Sequence, residues 1–175
     1  MPEHAHAPAR ESWGSERSRT VSWHHPGPST ATGLSMAGMD YLRAIIDGTL
    51  PPPPVAGLMP FELVSADPGR VVFTCRPDES AYKPIGAVHG GLVCTLLDAA
   101  LGCALRSTLP QGRGYTSVEI KVDYLKAVRL SIGLLTATGT VVKSGTRVGF
   151  TQGVVTDASG TTVATASSTL LVFDL

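Results

Sequence analysis

The chain has 175 residues, and its 14 Lys and Arg balance 14 Asp and Glu, so the formal net charge is zero. The length supports one domain with a real core, and the charge balance argues against a nucleic-acid binder that works through a broad basic face. Charged residues make up only 16% and glycines number 19, a composition suited to a compact protein that hides much of its surface, for instance in an oligomer.

Residues 1–33 are rich in Pro, Ser, Ala and His and carry no periodic apolar pattern. They read as a flexible N-terminal arm, followed by one domain over 34–175. The first twenty residues hold no apolar stretch of the kind a secretory signal needs. Cys75, Cys94 and Cys103 are odd in number and lack metal-ligand spacing, which fits reduced thiols and a cytoplasmic protein. His4, His6, His24 and His25 have no Cys or carboxylate framing them, so they read as solvated tail histidines; no metal and no cofactor is expected.

Met36, Met39, Leu42 and Ile46 recur at three- and four-residue steps and predict a short helix over Leu34 to Asp47, ended by Gly48. Pro51 to Pro54 predict a stiff connector. Phe61 to Ala66 and Val71 to Arg76 flank Asp67-Pro68-Gly69 and predict a hairpin. A long apolar helix follows, from about Gly90 to Thr108. Val88 to Leu105 is nearly all apolar and long enough to be a short transmembrane candidate, but Asp98 sits in its middle, where a charge would be costly in lipid, and two glycines open it. A buried central helix is the better reading, with no membrane partner.

From Ser117 to Tyr124 the residues alternate. Val118, Ile120, Val122 and Tyr124 are predicted on one face, Ser117, Glu119, Lys121 and Asp123 on the other. Three more strands are predicted near 130–143, 147–157 and 161–173, with turns at Ser144-Gly145 and Asp157 to Gly160. A hairpin, one apolar helix and four strands in a meander give an α+β fold, in which an antiparallel sheet wraps around one long central helix.

Asp98 is the only acidic residue between Pro84 and Leu105, set among Leu96, Leu97, Ala99, Ala100 and Leu101. A lone helical aspartate more often has a structural partner or faces water. Here, however, Gly90-Gly91 open the helix, and no Ser, Thr, Asp or Asn stands at its N-cap. Free N–H groups at a helix start, with the dipole behind them, suit an oxygen that gains negative charge; a tight turn with close packing is the plainer alternative. Gly90 and Asp98 are separated by roughly 12 Å along the helix axis at 1.5 Å per residue. A site that used both would need two copies of the helix, antiparallel across a two-fold axis. Cys94 and Cys103 lack a suitably spaced histidine and read as core fillers.

The run Tyr82-Lys83-Pro84-Ile85-Gly86-Ala87-Val88-His89-Gly90-Gly91, followed by Leu96-Leu97-Asp98, resembles the signature of the phenylacetic-acid-degradation type of hotdog thioesterase. The stretches Tyr115 to Leu125 and Val142 to Arg147 are similar to that family as well. The resemblance covers roughly residues 38 to 173 and implies a hotdog fold. It also implies hydrolysis of an aryl- or medium-chain acyl-CoA to free acid and CoA, in a homodimer with shared sites that pairs further into a tetramer.

By that resemblance the Gly90 N–H polarises the thioester carbonyl, with Gly91 beside the substrate. Asp98 of the other subunit serves as nucleophile or general base. Thr116 or Ser117 lies opposite, bonding the water or the carboxylate, and His89 holds the turn. Lys126, Lys143 and Arg147 are candidates for the CoA phosphates, though each also fits an ordinary strand-end charge. Lys83 stands where many relatives carry Asn or Gln, and an ammonium donates but cannot accept. That departure keeps a second reading in view, a non-catalytic acyl-CoA binder or sensor on the same fold. A gene-repressing sensor would need a DNA-binding element, and a hotdog dehydratase would need a different His and acid arrangement; the sequence displays neither.

Overall fold

The computed structural model describes residues 13–175; His4 and His6 lie outside them. Helix α1 spans Pro26–Leu34 and is capped by His25, whose Nδ1 accepts from the Gly27 N–H at 3.1 Å. A boundary drawn between residues 33 and 34 therefore falls inside a helix, and the stretch read as a loose arm contains this element. The next helix, α2, is shorter than the periodicity predicts, Gly38–Ile46, and Gly48 at φ +79° closes it. Pro54 opens the five-residue helix α3, Pro54–Leu58, because proline suits a first helical turn. The extended connector is thus one residue shorter than predicted.

Strands β1 (Phe61–Asp67) and β2 (Arg70–Cys75) form the expected hairpin. A small ribbon of β3 (Tyr82–Lys83) and β4 (Ala87–Val88) leads into the central helix α4, Gly90–Arg106. Then come β5 (Arg113–Tyr124), β6 (Leu135–Ser144), β7 (Val148–Thr156) and β8 (Thr162–Asp174). Residues 130–132, predicted to start a strand, form a single 3-10 turn instead.

The six long strands make one antiparallel sheet in the order β1-β2-β6-β7-β8-β5. This corrects the predicted simple meander. Tight turns keep β6, β7 and β8 adjacent, whereas residues 125–134 link β5 to β6 and are long enough to cross the end of the sheet. So β5 lies at the far edge against β8, and β6 takes the place beside β2. Helix α4 lies on the sheet's inner face, with Leu96, Leu97, Ala100, Leu101, Ala104 and Leu105 fully buried at three- and four-residue spacing. Gly139 lets the helix come close: a Cβ there would stand 2.2 Å from the Ala100 carbonyl oxygen. Among the described residues, no helix is long and apolar enough to cross a membrane.

The C-terminal end of α4 is fixed by Arg106, a buried cation bonded to backbone carbonyls. Its Nη2 donates to Gly33 O at 3.0 Å and Met36 O at 3.3 Å, and Nη1 donates to Arg113 O. The guanidinium also lies 5.7 Å from the centre of the Tyr41 ring. One side chain thereby ties the α1–α2 junction and the start of β5 to the helix end, where the dipole favours a positive charge. Arg106→Met should lower the unfolding free energy by about 2–4 kcal/mol, since several carbonyls lose a charged donor at once. Chemical denaturation checks this, and a loss below about 1 kcal/mol would contradict the assigned role.

Candidate active site

Strand β5 does not alternate simply. Ser117 pairs with Leu170 and Glu119 with Thr169, so Val118 is an extra residue in a β-bulge. Before the bulge, Tyr115 and Ser117 face the helix; after it, Ile120, Val122 and Tyr124 do. A bulge shifts the parity of every residue beyond it. It therefore brings Ser117 onto the same face as the apolar residues predicted opposite to it, and it leaves Val118 65% exposed.

That shift builds the first half of the site. Ser117 Oγ donates to Asp98 Oδ1 at 2.7 Å. Asp98 is half-buried on a strip of α4 that the sheet leaves uncovered, with Gly91, Cys94, Thr95 and Ala99. The strip follows helical spacing and consists of small side chains, so a second backbone can come near. Thr116 lies on the opposite face of β5, and the structure brings Ser117, not Thr116, to the carboxylate.

The second half is the helix entry. Pro84 and Ile85 form the centre of a turn closed by the Gly86 N–H donating to Lys83 O at 3.1 Å. Gly86 has φ +72°, a conformation open to glycine at no steric cost. The His89 N–H donates to Ala81 O at 2.7 Å, and His89 Nδ1 accepts from the Gly91 N–H at 2.9 Å. The helix is therefore capped, by a histidine, and the expectation of an uncapped start is corrected. With Gly91 engaged, the Gly90 N–H is left without an acceptor among the described residues. Tyr124 Oη donates to Gly90 O at 3.0 Å, and its ring lies where a Cβ on residue 90 would be, 3.0 Å away. No sequence pattern marks this contact, because the two residues are 34 apart in the chain.

The remaining candidates spread out. Lys83, opposite Ala87 in the β3–β4 ribbon, has no side-chain partner within the described chain. Lys126 is engaged: its Nζ lies 2.8 Å from Asp157 Oδ2. Hydrogen bonds from Lys126 and Ser159 hold the Asp157 carboxyl well below the usual carboxylate range, and Lys126, a phosphate candidate from the sequence, is bonded at the β7–β8 turn while its side chain stays half exposed. Lys143 and Arg147 are exposed beside the β6–β7 turn, which contacts the C-terminal end of α4 through Ser144 and Thr108, 3.0 Å apart. They are thus at the opposite end of the helix from Gly90.

The cysteines are poor nucleophiles here. Burial pushes Cys103 up to about 12 and also raises Cys94, which the negative charge of Asp98 raises further. No group of three or more His, Cys, Asp or Glu among the described residues could hold a metal ion. Beside Asp98 opens a cavity of about 1010 Å³, lined by α4, α2 and β1 and mostly apolar, with Tyr41, Ile45, Phe61, Phe73, Cys103 and Tyr115 in its wall.

Comparison with known proteins bears on the fold. A family model described as the thioesterase superfamily matches residues 85–164. The human acyl-coenzyme A thioesterase 13 is 34% identical over 90 residues, which make up 51% of this chain and 63% of that protein. The aligned region thus spans less than two thirds of this relative. A Streptococcus mutans protein solved bound to acetyl-CoA is 29% identical, with a TM-score of 0.60 over 65% of this chain and 89% of its own. A phenylacetic-acid-degradation-related protein of Ralstonia eutropha shares the fold at 24% identity, with a TM-score of 0.69 over 75% of this chain and 98% of its own. The sheet wrapped about α4 and the likeness to these solved structures show that this chain has the hotdog fold, and the superfamily model matches its stretch around α4.

Proposed function

We propose that the protein hydrolyses acyl-CoA thioesters in a homodimer whose two sites are each shared between subunits. The observation that carries this reading is the Ser117–Asp98 pair at 2.7 Å on the uncovered strip of α4, about 12 Å along the axis from the free Gly90 N–H. Neither group has a partner for acyl transfer among the described residues of its own chain. An antiparallel second copy of α4 supplies one to each.

The open edge of β5 supports such a pairing. Val118 at 65% and Tyr124 at 54% exposure lie along a strand whose outer edge has no partner among the described residues, a ready template for another chain. The same pairing carries Lys143 and Arg147 of one subunit towards the helix entry of the other, where CoA phosphates would need cations. The acetyl-CoA in the Streptococcus mutans relative favours a CoA ester as substrate. The apolar cavity beside Asp98 favours an aryl or medium-chain acyl group over a small polar one. The resemblance to the phenylacetic-acid-degradation type is consistent with this.

In the proposed reaction Asp98 acts as general base. Ser117 holds Oδ1, which leaves Oδ2 to take a proton from water. The water oxygen attacks the carbonyl carbon, and the oxygen that gains charge is held by the Gly90 N–H of the other subunit. The C–S bond then breaks, CoA leaves as thiolate, and the proton on Asp98 returns to it. Tyr124, bonded to Gly90 O, and His89, bonded to the Gly91 N–H, keep the helix entry rigid. Lys83, unpaired in the turn before it, adds a positive charge near the oxyanion.

Three measurements test this reading. Asp98→Asn should keep the fold and cut kcat/KM at least roughly a hundredfold, the scale of a lost general base, as measured by free-thiol release; near wild-type turnover would remove Asp98 from the chemistry. Mixing Asp98→Asn chains with Gly90→Pro chains, which lack the N–H at residue 90, should restore activity towards half of wild type, because one site of each heterodimer has both groups intact. No recovery in verified heterodimers would place the site within one chain. Lys83→Met should lower kcat more than it raises KM, and steady-state kinetics showing both unchanged would make Lys83 a solvated loop residue.

A further inference from the structure

One wall of the cavity beside Asp98 has no part in the chemistry proposed above. Ser22, Trp23 and His24 border it, although they lie far from Asp98 in sequence and outside the region matched by the superfamily model, residues 85–164. The segment is held in place by specific contacts. Arg19 donates to Leu58 O and lies 3.3 Å from Asp78 Oδ2. That exposed ion pair contributes little by itself, so the close packing next to it matters more. Gly57 of α3 faces Ser22, and a Cβ at Gly57 would stand 2.9 Å from Ser22 O and 3.6 Å from Val21 Cγ1. The absence of a side chain at residue 57 lets the segment lie flat over α3.

Trp23 stands at the cavity mouth and leaves 61% of its surface open. An indole in that position gains when an apolar group comes to rest against it and removes both surfaces from water. The cavity runs beside α4 from Thr95 to Cys103, roughly 12 Å at 1.5 Å per residue. At about 1010 Å³ it reaches the upper end of the range of small-molecule pockets, roughly 300–1,000 Å³. A short acyl group with its thioester at Asp98 would fill only the part next to the helix. A long one would extend towards the N-terminal segment.

We infer that Ser22–His24 cap the acyl cavity and that Trp23 selects long apolar acyl groups by packing against their distal end. The identity of the ligand rests on the hydrolase reading; the cap itself rests on the cavity and on the contacts at Gly57 and Arg19.

The test uses the full chain. Trp23→Ala and Gly57→Val, the second pushing the segment off α3, should each raise KM for lauroyl-CoA about tenfold, the scale of one or two methylenes losing their cover, and leave KM for butyryl-CoA within about twofold. A second readout does not depend on turnover. In a Trp13→Phe background only Trp23 emits, since the chain has two tryptophans. Its emission should shift to the blue with a non-hydrolysable ketone analogue of lauroyl-CoA and stay unchanged with the acetyl counterpart. Calorimetric binding of the lauroyl analogue with silent Trp23 emission overturns the cap, as does failure to bind the analogue, or an equal rise in KM for both substrates. A protein that binds the analogue with the Trp23 response but releases no thiol from lauroyl-CoA keeps the cap and loses the hydrolase reading. Hydrolysis of lauroyl-CoA that is indifferent to Trp23 does the reverse.

Discussion

A carboxylate on an otherwise apolar helix has to keep contact with donors or water, because burying it unpaired would cost several kcal/mol or force it to neutralise. Asp98 meets that constraint with one hydrogen bond from Ser117 and with a place on the strip of α4 that the sheet leaves open. The bulge at Val118 is what makes the bond available, since without it Ser117 would face away from the helix. The same bulge leaves an apolar side chain exposed at the sheet edge, where a second subunit would cover it. Charge, strand irregularity and proposed assembly are therefore linked through one local feature.

The two ends of α4 handle their unsatisfied backbone groups differently. At the C-terminal end the last carbonyls accept from Ser107, Thr108 and Leu109, and the Arg106 side chain ties carbonyls of Gly33, Met36 and Arg113 to the same end. At the N-terminal end His89 occupies the Gly91 N–H, Tyr124 bonds Gly90 O, and the Gly90 N–H is left over. One end is saturated and rigid. The other keeps a single donor held in place, which is the preorganisation an oxyanion site requires.

Much of this was legible in the sequence where local patterns govern. The β1–β2 hairpin followed from its Asp67-Pro68-Gly69 turn, and α4 from its apolar run and glycine entry. Asp98 stood out because nothing else near it carries a negative charge. What local pattern could not supply was long-range pairing. The alternation from Ser117 to Tyr124 put Ser117 on the wrong face, because a bulge has no clear signature in a run of good strand formers. The position of β5 beside β8 depends on a crossing by residues 125–134 that carries no periodicity. Capping preferences led away from His89, since histidine is not among the usual N-cap residues, although its ring can accept from the second N–H as short polar side chains do. Lys126 looked like a free cation because its partner Asp157 is 31 residues away. The helix at Pro26–Leu34 and the approach of Ser22–His24 to the cavity arise from tertiary contacts to Arg106, Gly57 and Leu58, none of which the composition of the arm reveals.

In the reading proposed above, the Asp98 carboxylate is placed for thioester hydrolysis rather than for binding alone. The most direct measurement is free-thiol release by the purified wild-type protein over a panel of acyl-CoAs, from acetyl and butyryl through phenylacetyl to lauroyl and palmitoyl. The expected result is enzymatic turnover that favours the larger apolar acyl groups. Binding of these esters without thiol release above the uncatalysed background, for every member of the panel, would contradict it.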